Sequence, residues 1–171
     1  MVKNMMAYEE SSYQVIKKFE NFEIRSYQER YVIQVRYNND DGGFQKLFNY
    51  ISGKNQKSEK IEMTTPVTQY ASGNQKIMQF YLPGRFDQKN APIPLNKSVE
   101  VASIKAGYFA VIRYSGFASD KNFLKHASVL KKSLEKEKIE FIEPPIKATY
   151  NGPFTLPNLR RNEAMYLVKW N

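Results

Sequence analysis

Four residues near the end of this 171-residue chain, Arg160, Arg161, Asn162 and Glu163, set two cations and a carboxylate at the head of an alternating, β-prone run, Glu163 to Trp170. A strand of that pattern is at least half buried, and charges carried into it need partners. The expected role is a structural clasp, with Glu163 accepting from amides of a neighbouring turn and the arginines at the rim. His126, the one histidine, follows Phe123 by three positions and precedes Leu130 by four, at the edge of an expected helix's apolar face. Such a histidine is either a boundary residue or a metal ligand. Phe44, Leu47, Phe48 and Ile51 recur at i, i+3, i+4 and i+7, with Lys46 nearby. That stripe is either plain core or the wall of a pocket for a flat ligand, whose anionic groups Lys46 would meet. Ile33 and Val35 can face the same space.

Other chemistry is missing. The chain has no cysteine, which excludes disulfides, thiolate catalysis and thiolate-held metals. No Ser/His/Asp set, HExxH motif or phosphate loop is visible, so an enzyme is not expected. The 26 basic and 17 acidic residues leave a charge of +9, which attracts anions: acidic surfaces or the carboxylates of a small ligand. No zinc-finger spacing or aromatic-interleaved RNA motif accompanies the lysines, so nucleic acid is not an expected partner. The longest apolar run, Tyr108 to Ile112, is too short to cross a bilayer, and the first residues have no apolar signal-type segment. A cytoplasmic protein is expected, with residues 1–12 as a loose tail and 13–171 as one domain.

The elements that must position these residues follow from local pattern. Tyr13 to Phe19 and Phe22 to Tyr27 read as a hairpin, with Phe22, Ile24 and Ser26 on one face and Glu23, Arg25 and Tyr27 on the other. Tyr31 to Tyr37 reads as a strand, and Asn38 to Gly43 breaks it and offers helix caps. The Phe44–Ile51 helix stops at Gly53, and a polar loop covers Lys54 to Lys60. Met63 to Tyr70 and Ile77 to Leu82 form a second hairpin, and a proline-containing connection runs from Pro83 to Lys97. Then the pattern returns. Val99 to Ile104 and Tyr108 to Tyr114 are strands, a helix capped near Ser119-Asp120 carries Phe123, Ala127, Leu130 and Leu134, and strands at Ile146 to Tyr150 and Glu163 to Trp170 close the chain. Y-V-I-Q-V-R-Y and Y-F-A-V-I-R-Y stand 77 positions apart, at Tyr31 and Tyr108. The chain therefore reads as an internal duplication, with halves at about 13–83 and 98–171. Neither half alone can cover both a sheet face and a helix. The expected fold is α+β: a curved, distorted antiparallel β-barrel of two pseudo-symmetric halves with two flanking α-helices, and a cavity between sheet and helices.

Two segments also carry a family resemblance. Gly152-Pro153-Phe154-Thr155, followed by Leu159-Arg160-Arg161-Asn162-Glu163, resembles the C-terminal signature of the SOUL haem-binding proteins. Lys60-Ile61-Glu62-Met63-Thr64-Thr65-Pro66-Val67 is similar to a second SOUL segment. The resemblance covers the chain from about Tyr13 onward and implies the same distorted barrel, related to bacterial effector-binding domains of the GyrI type. It implies a small-molecule ligand that is flat and anionic, haem or a related tetrapyrrole held non-covalently. Some family members ligate the iron through a histidine just after an Ile-Arg pair, and here Ile24-Arg25 is followed by Ser26. A haem iron would accept His126 as a ligand, and the Met63 thioether could approach an iron or a porphyrin face, while the plainer reading of this segment is that Thr64 and Thr65 satisfy a turn and Pro66 marks an edge or bulge. The alternative is a GyrI-like effector module for another hydrophobic small molecule or a protein partner.

Overall fold

The computed structural model describes residues 8–38 and 42–171. Its strands are β1 (Glu9–Glu10), β2 (Tyr13–Lys18), β3 (Glu23–Tyr27), β4 (Arg30–Tyr37), β5 (Thr64–Thr65), β6 (Val67–Ser72), β7 (Gln75–Tyr81), β8 (Val99–Ile104), β9 (Gly107–Tyr114), β10 (Phe141–Thr149) and β11 (Asn162–Val168). The helices are α1 (Gly43–Ile51) and α2 (Asp120–Lys136). Ser119 caps α2, its hydroxyl accepting from the Asn122 amide. At α1 the cap residue is Gly42, at φ 77°, a left-handed conformation that glycine adopts without a Cβ penalty. Of the cap candidates in the sequence, residues 39–41 lie outside the described residues, as do residues 1–7 of the expected tail. Within that tail, Glu9–Glu10 runs parallel to Thr64–Thr65, and the Glu9 carboxylate accepts from the Gly84 amide.

Nine strands form one sheet in the order β2-β3-β9-β11-β10-β6-β7-β4-β8. Read from β3 to β8, that order is a palindrome about the β10–β6 pair. The first strand of each half leaves its own half and pairs with the second strand of the other, β3 with β9 and β8 with β4. The helices keep the repeat too, since Gly43 and Asp120 begin them 77 positions apart (43 to 120, as 31 to 108).

Connectivity forces the sheet to curl. Only Gln28 and Glu29 separate β3 from β4, and only Lys105 and Ala106 separate β8 from β9. Each pair of strands is six places apart in the sheet order, nearly 30 Å in a flat sheet at about 4.8 Å per strand. Three Cα–Cα steps reach only about 11 Å. The ends must therefore swing toward each other, and they meet on one face: the Arg30 guanidinium of β4 lies 4.0 Å from the Tyr27 ring of β3, 5.1 Å from Tyr81 of β7 and 5.5 Å from Phe109 of β9. Among the described residues β2 and β8 end the sheet order without pairing to each other, so the curled sheet keeps an open seam.

Register then sorts the side chains. Met78, Gln69, Lys147 and Ala164 are cross-strand partners in turn and share a face. Met78 belongs to the core beneath α1 and Ala164 to the core beneath α2, so both helices cover one face, the outer one. The inner face holds Tyr27, Phe109, Val111, Ala148 and Met165 in a third cluster. β10 runs straight through Pro144-Pro145, where the sequence pattern starts it at Ile146. Proline has no N–H for the ladder, and the pairing with β11 skips from Ile142 to Ile146.

Candidate functional site

The helices bury Leu47, Tyr50 and Ile51 of α1, and Phe123, Ala127, Leu130 and Leu134 of α2. What their flanks present is decided by the helical period. Phe44 and Phe48 share one flank of α1. They are 49% and 45% exposed, their rings lie 6.3 Å apart at 12°, and Phe44 meets Phe80 of β7 edge-on at 5.1 Å. Phe80 pairs with Val67 of β6, so this flank looks toward the centre of the sheet. On α2, Asp120 receives Lys76 of β7 at 3.0 Å and Lys147 of β10 at 3.1 Å, which turns the Asp120–Leu124 flank toward the same strands. A groove between the helices is therefore floored by β6 and β10, the two central strands. Its α2 side deepens into an almost wholly apolar crevice of about 230 Å³ between Phe123, Leu124, Pro144, Pro145 and Ala71, with Lys76, Asp120 and Lys147 at the rim. The Lys76 ammonium, with that of Lys147, holds the Asp120 carboxyl below its ordinary range against a burial that would raise it.

The other residues singled out in the sequence fall around this groove in different ways. Leu47, Ile51 and Ile33 are buried in the core beneath α1 and do not line the crevice. Lys46 does not join them. Two residues on from Phe44 it is roughly half a turn around the helix, in a separate crevice with Tyr50, Lys54, Pro94 and Val99. His126 stands on the flank of α2 away from the groove, two residues from Leu124. Its ring stacks on Tyr114 at 4.0 Å and 5°, and its Nδ1 donates to the Asn122 carbonyl at 2.8 Å. Met63 packs against the core beneath α1. Among the described residues, no group of three or more His, Cys, Asp or Glu could hold a metal ion.

Glu163, with Arg161 against it, lies at the other side of the sheet, while Asn162 pairs with Tyr114 on the helix side, and the expected acceptor role of Glu163 has different donors. Its fully buried carboxylate takes a two-pronged bond from Arg25 of β3, at 2.8 and 2.9 Å, and a further contact from Arg161 at 3.1 Å, where turn amides were expected. Arg25 also donates to Glu23 at 2.7 Å and to the Tyr27 hydroxyl at 3.1 Å, and stacks over Tyr13 at 4.0 Å. Arg161 reaches on to Glu10 at 2.9 Å and covers the Tyr150 ring at 3.8 Å. Burial alone would raise the Glu163 carboxyl, but the bonds and charges of Arg25 and Arg161 outweigh it and hold it below the ordinary 4.5. Burial pushes Tyr27 up to about 12. Asn162 donates to the Gly116 carbonyl at 3.0 Å, while Arg160 stands apart and donates to the Gly152 carbonyl at 2.9 Å. Every strong charge here has a partner, so the network is a clasp between β3, β11 and the N-terminal segment.

With this geometry in hand, comparison with known proteins is direct. The sequence model of the SOUL heme-binding proteins matches residues 8–167. The chain belongs to the SOUL heme-binding protein family. Heme-binding protein 2 of Homo sapiens is 32% identical over 142 residues, 75% of this chain and 65% of that protein. Heme-binding protein 1 of Xenopus tropicalis is 24% identical over 129 residues, 71% of this chain and 67% of that protein. The chain thus spans 65% of the length of the first of these relatives. In fold, an uncharacterized conserved protein from Listeria innocua superposes with a TM-score of 0.67 at 8% identity, over 87% of this chain and 92% of that one. Such a likeness speaks for architecture alone.

Both SOUL segments have a structural job here. In the first, Ile61 is buried and its amide donates to the Ile51 carbonyl at 2.8 Å, tying the segment under α1. Thr64 donates to the Tyr81 carbonyl. The second segment supplies the clasp. Ser26 of β3 pairs with Tyr108 of β9, one strand in from the sheet edge and three strands from the groove floor. Sequence reasoning missed Asn55, buried in the loop read as merely polar. Its side chain donates to the Tyr50 and Glu59 carbonyls and accepts from the Lys57 and Glu59 amides. It missed Lys76, Asp120 and Lys147 as well, because nothing local joins residues of three separate elements.

Proposed function

We propose that this SOUL domain is a non-catalytic binder of haem or a related tetrapyrrole, and that the inter-helix groove is its site. One observation carries the reading: Phe44 and Phe48 lie nearly parallel and half exposed on a helix whose other apolar residues are buried. Exposed aromatic pairs of that kind suit a flat ring system, which gains by stacking. The 230 Å³ crevice is smaller than the roughly 300–1,000 Å³ of typical ligand pockets, so a macrocycle would use it as one end and lie along the open groove toward Phe44. Lys76 and Lys147 stand where carboxylates of a flat, anionic ligand would lie, in competition with Asp120. When bound, haem would bring its own redox-active iron. The groove offers it no imidazole, since His126 faces away. Binding therefore rests on stacking, apolar contact and the lysines. The 32% identity to a protein named for binding haem supports the same reading. Residues 13–171 would act as one domain, and a cytoplasmic setting belongs to the proposal. The missing imidazole favours, as a second reading, another apolar anion in the same groove, as in a GyrI-like effector module.

The test is a haem titration of the purified protein followed at the Soret band, with Phe44→Ser/Phe48→Ser and His126→Ala alongside. Saturable one-to-one uptake that is lost in the phenylalanine variant and kept in His126→Ala is expected. Non-saturating uptake, equal in all three proteins, would dismiss haem and leave the effector reading.

A further inference from the structure

Four strongly exposed apolar side chains away from the groove gather on two loops at one end of the molecule. Phe154 is 98% exposed, Leu159 67% and Leu156 61% on the β10–β11 loop, and Phe117 is 70% exposed on the β9–α2 loop. These loops are fastened together. The Gly116 amide donates to the Pro157 carbonyl at 2.8 Å, the Asn122 side chain to the Phe117 carbonyl at 2.9 Å, and the Asn162 side chain to the Gly116 carbonyl at 3.0 Å. Arg160 closes the β10–β11 loop on Gly152, and the Asn151 side chain accepts from the Arg161 amide at 2.6 Å. Hydrophobic tips held out on a braced frame are not explained by folding, which would bury them.

Charge at this end is mostly basic, and its acids are paired. Lys121 and Lys125 are exposed on the first two turns of α2, opposite the buried Phe123 and Ala127, and Arg160 lies at the base of the β10–β11 loop. The one acid in residues 115–126 and 151–160 is Asp120, and it is paired with both Lys76 and Lys147. Nearby Glu10 and Glu163 are engaged by Arg161. An apolar tip with a basic collar is the two-part signal that holds a protein on an acidic lipid surface: one part inserts at the headgroup boundary and the other meets the phosphates. The convex tips suit insertion into a bilayer better than the groove of a folded partner.

We propose that this end of the molecule docks on an anionic bilayer, with Phe154, Leu156, Leu159 and Phe117 entering the interface and Lys121, Lys125 and Arg160 on the headgroups. The inference does not depend on what fills the inter-helix groove. The test is co-sedimentation of the full chain with vesicles of phosphatidylcholine plus phosphatidylserine, and of phosphatidylcholine alone. The parent should bind the mixed vesicles, more weakly as salt rises, and leave the neutral ones in solution. Phe154→Ser/Leu156→Ser and Lys121→Glu/Lys125→Glu should each lower binding at least about tenfold. All four side chains are exposed, so the thermal midpoint should not move. Phe154→Trp adds a reporter at the tip, whose emission should shift to shorter wavelength with the mixed vesicles, while that of the parent, with Trp170 alone, does not. No binding by the parent, equal binding to neutral vesicles, or binding unchanged in the Phe154/Leu156 variant would overturn the proposal.

Discussion

The two faces of this sheet handle polar and aromatic residues in opposite ways. On the inner face Arg25, Arg161, Glu163, Glu23 and Glu10 form a closed network, with Tyr13, Tyr27 and Tyr150 stacked or bonded against it. On the outer face Phe44 and Phe48 remain half exposed beside a groove, and the lysines at its far rim share one carboxylate. The difference teaches where function can sit. A buried charge network is costly to disturb, because each ion left alone keeps its desolvation cost without compensation. A half-exposed aromatic pair is cheap to disturb and free to stack on something else. Arg161 and Glu163 thus tie β3, β11 and the N-terminal segment together, while the half-exposed aromatic pair stands on the other face.

The largest effect should come from breaking the inner face. Arg25→Met leaves the buried Glu163 carboxylate with Arg161 and the Tyr150 hydroxyl but without its two-pronged cation, and should lower stability by about 3–5 kcal/mol, read as a drop in the urea midpoint at unchanged slope. Acid probes the same network more gently. Because Glu163 is held below 4.5 in the fold, its contribution is present above pH 4.5 and is lost as pH falls through its depressed folded value. Glu163→Gln should remove that part of the acid dependence, as followed by urea midpoints from about one unit below to about three units above the ordinary carboxylate value, roughly pH 3 to 7.

On the outer face the ranking inverts. Phe44→Ser/Phe48→Ser should cost about 1 kcal/mol or less per side chain in stability, since both rings are already half in water, yet weaken haem uptake at least about tenfold. A variant that loses stability as Arg25→Met does, with ligand uptake intact, would erase the contrast between the faces. The smallest effect belongs to His126→Ala. It removes a stack on Tyr114 worth about 0.5–1.5 kcal/mol and should leave the Soret titration unchanged.

The particular residues show which parts were legible in advance. The α1 stripe was readable from its i, i+3, i+4, i+7 spacing, but not its division of labour, because burial of Leu47 and Ile51 over Phe44 and Phe48 depends on where the sheet lies. The far side of Lys46 was recoverable, since two residues along a helix is roughly half a turn. The split of β3 into an Ile24 face and an Arg25 face was readable from strand alternation. That Arg25 serves Glu163, 138 positions later, was not. The turn at Lys105 to Gly107 was also readable, but β8 and β9 on either side of it pair with other strands.

By itself the sequence determined the two helices, most of the strands, the repeat at 77 positions and the family, because periodicity, caps and motifs are local and act within a few residues of chain. Only the tertiary structure decided that the first strands of the two halves exchange places, that two-residue links curl the sheet, and that the charges face inward while the aromatic pair faces a groove. Those outcomes depend on which distant strands pair and in what register, and one step of register moves every side chain to the opposite face.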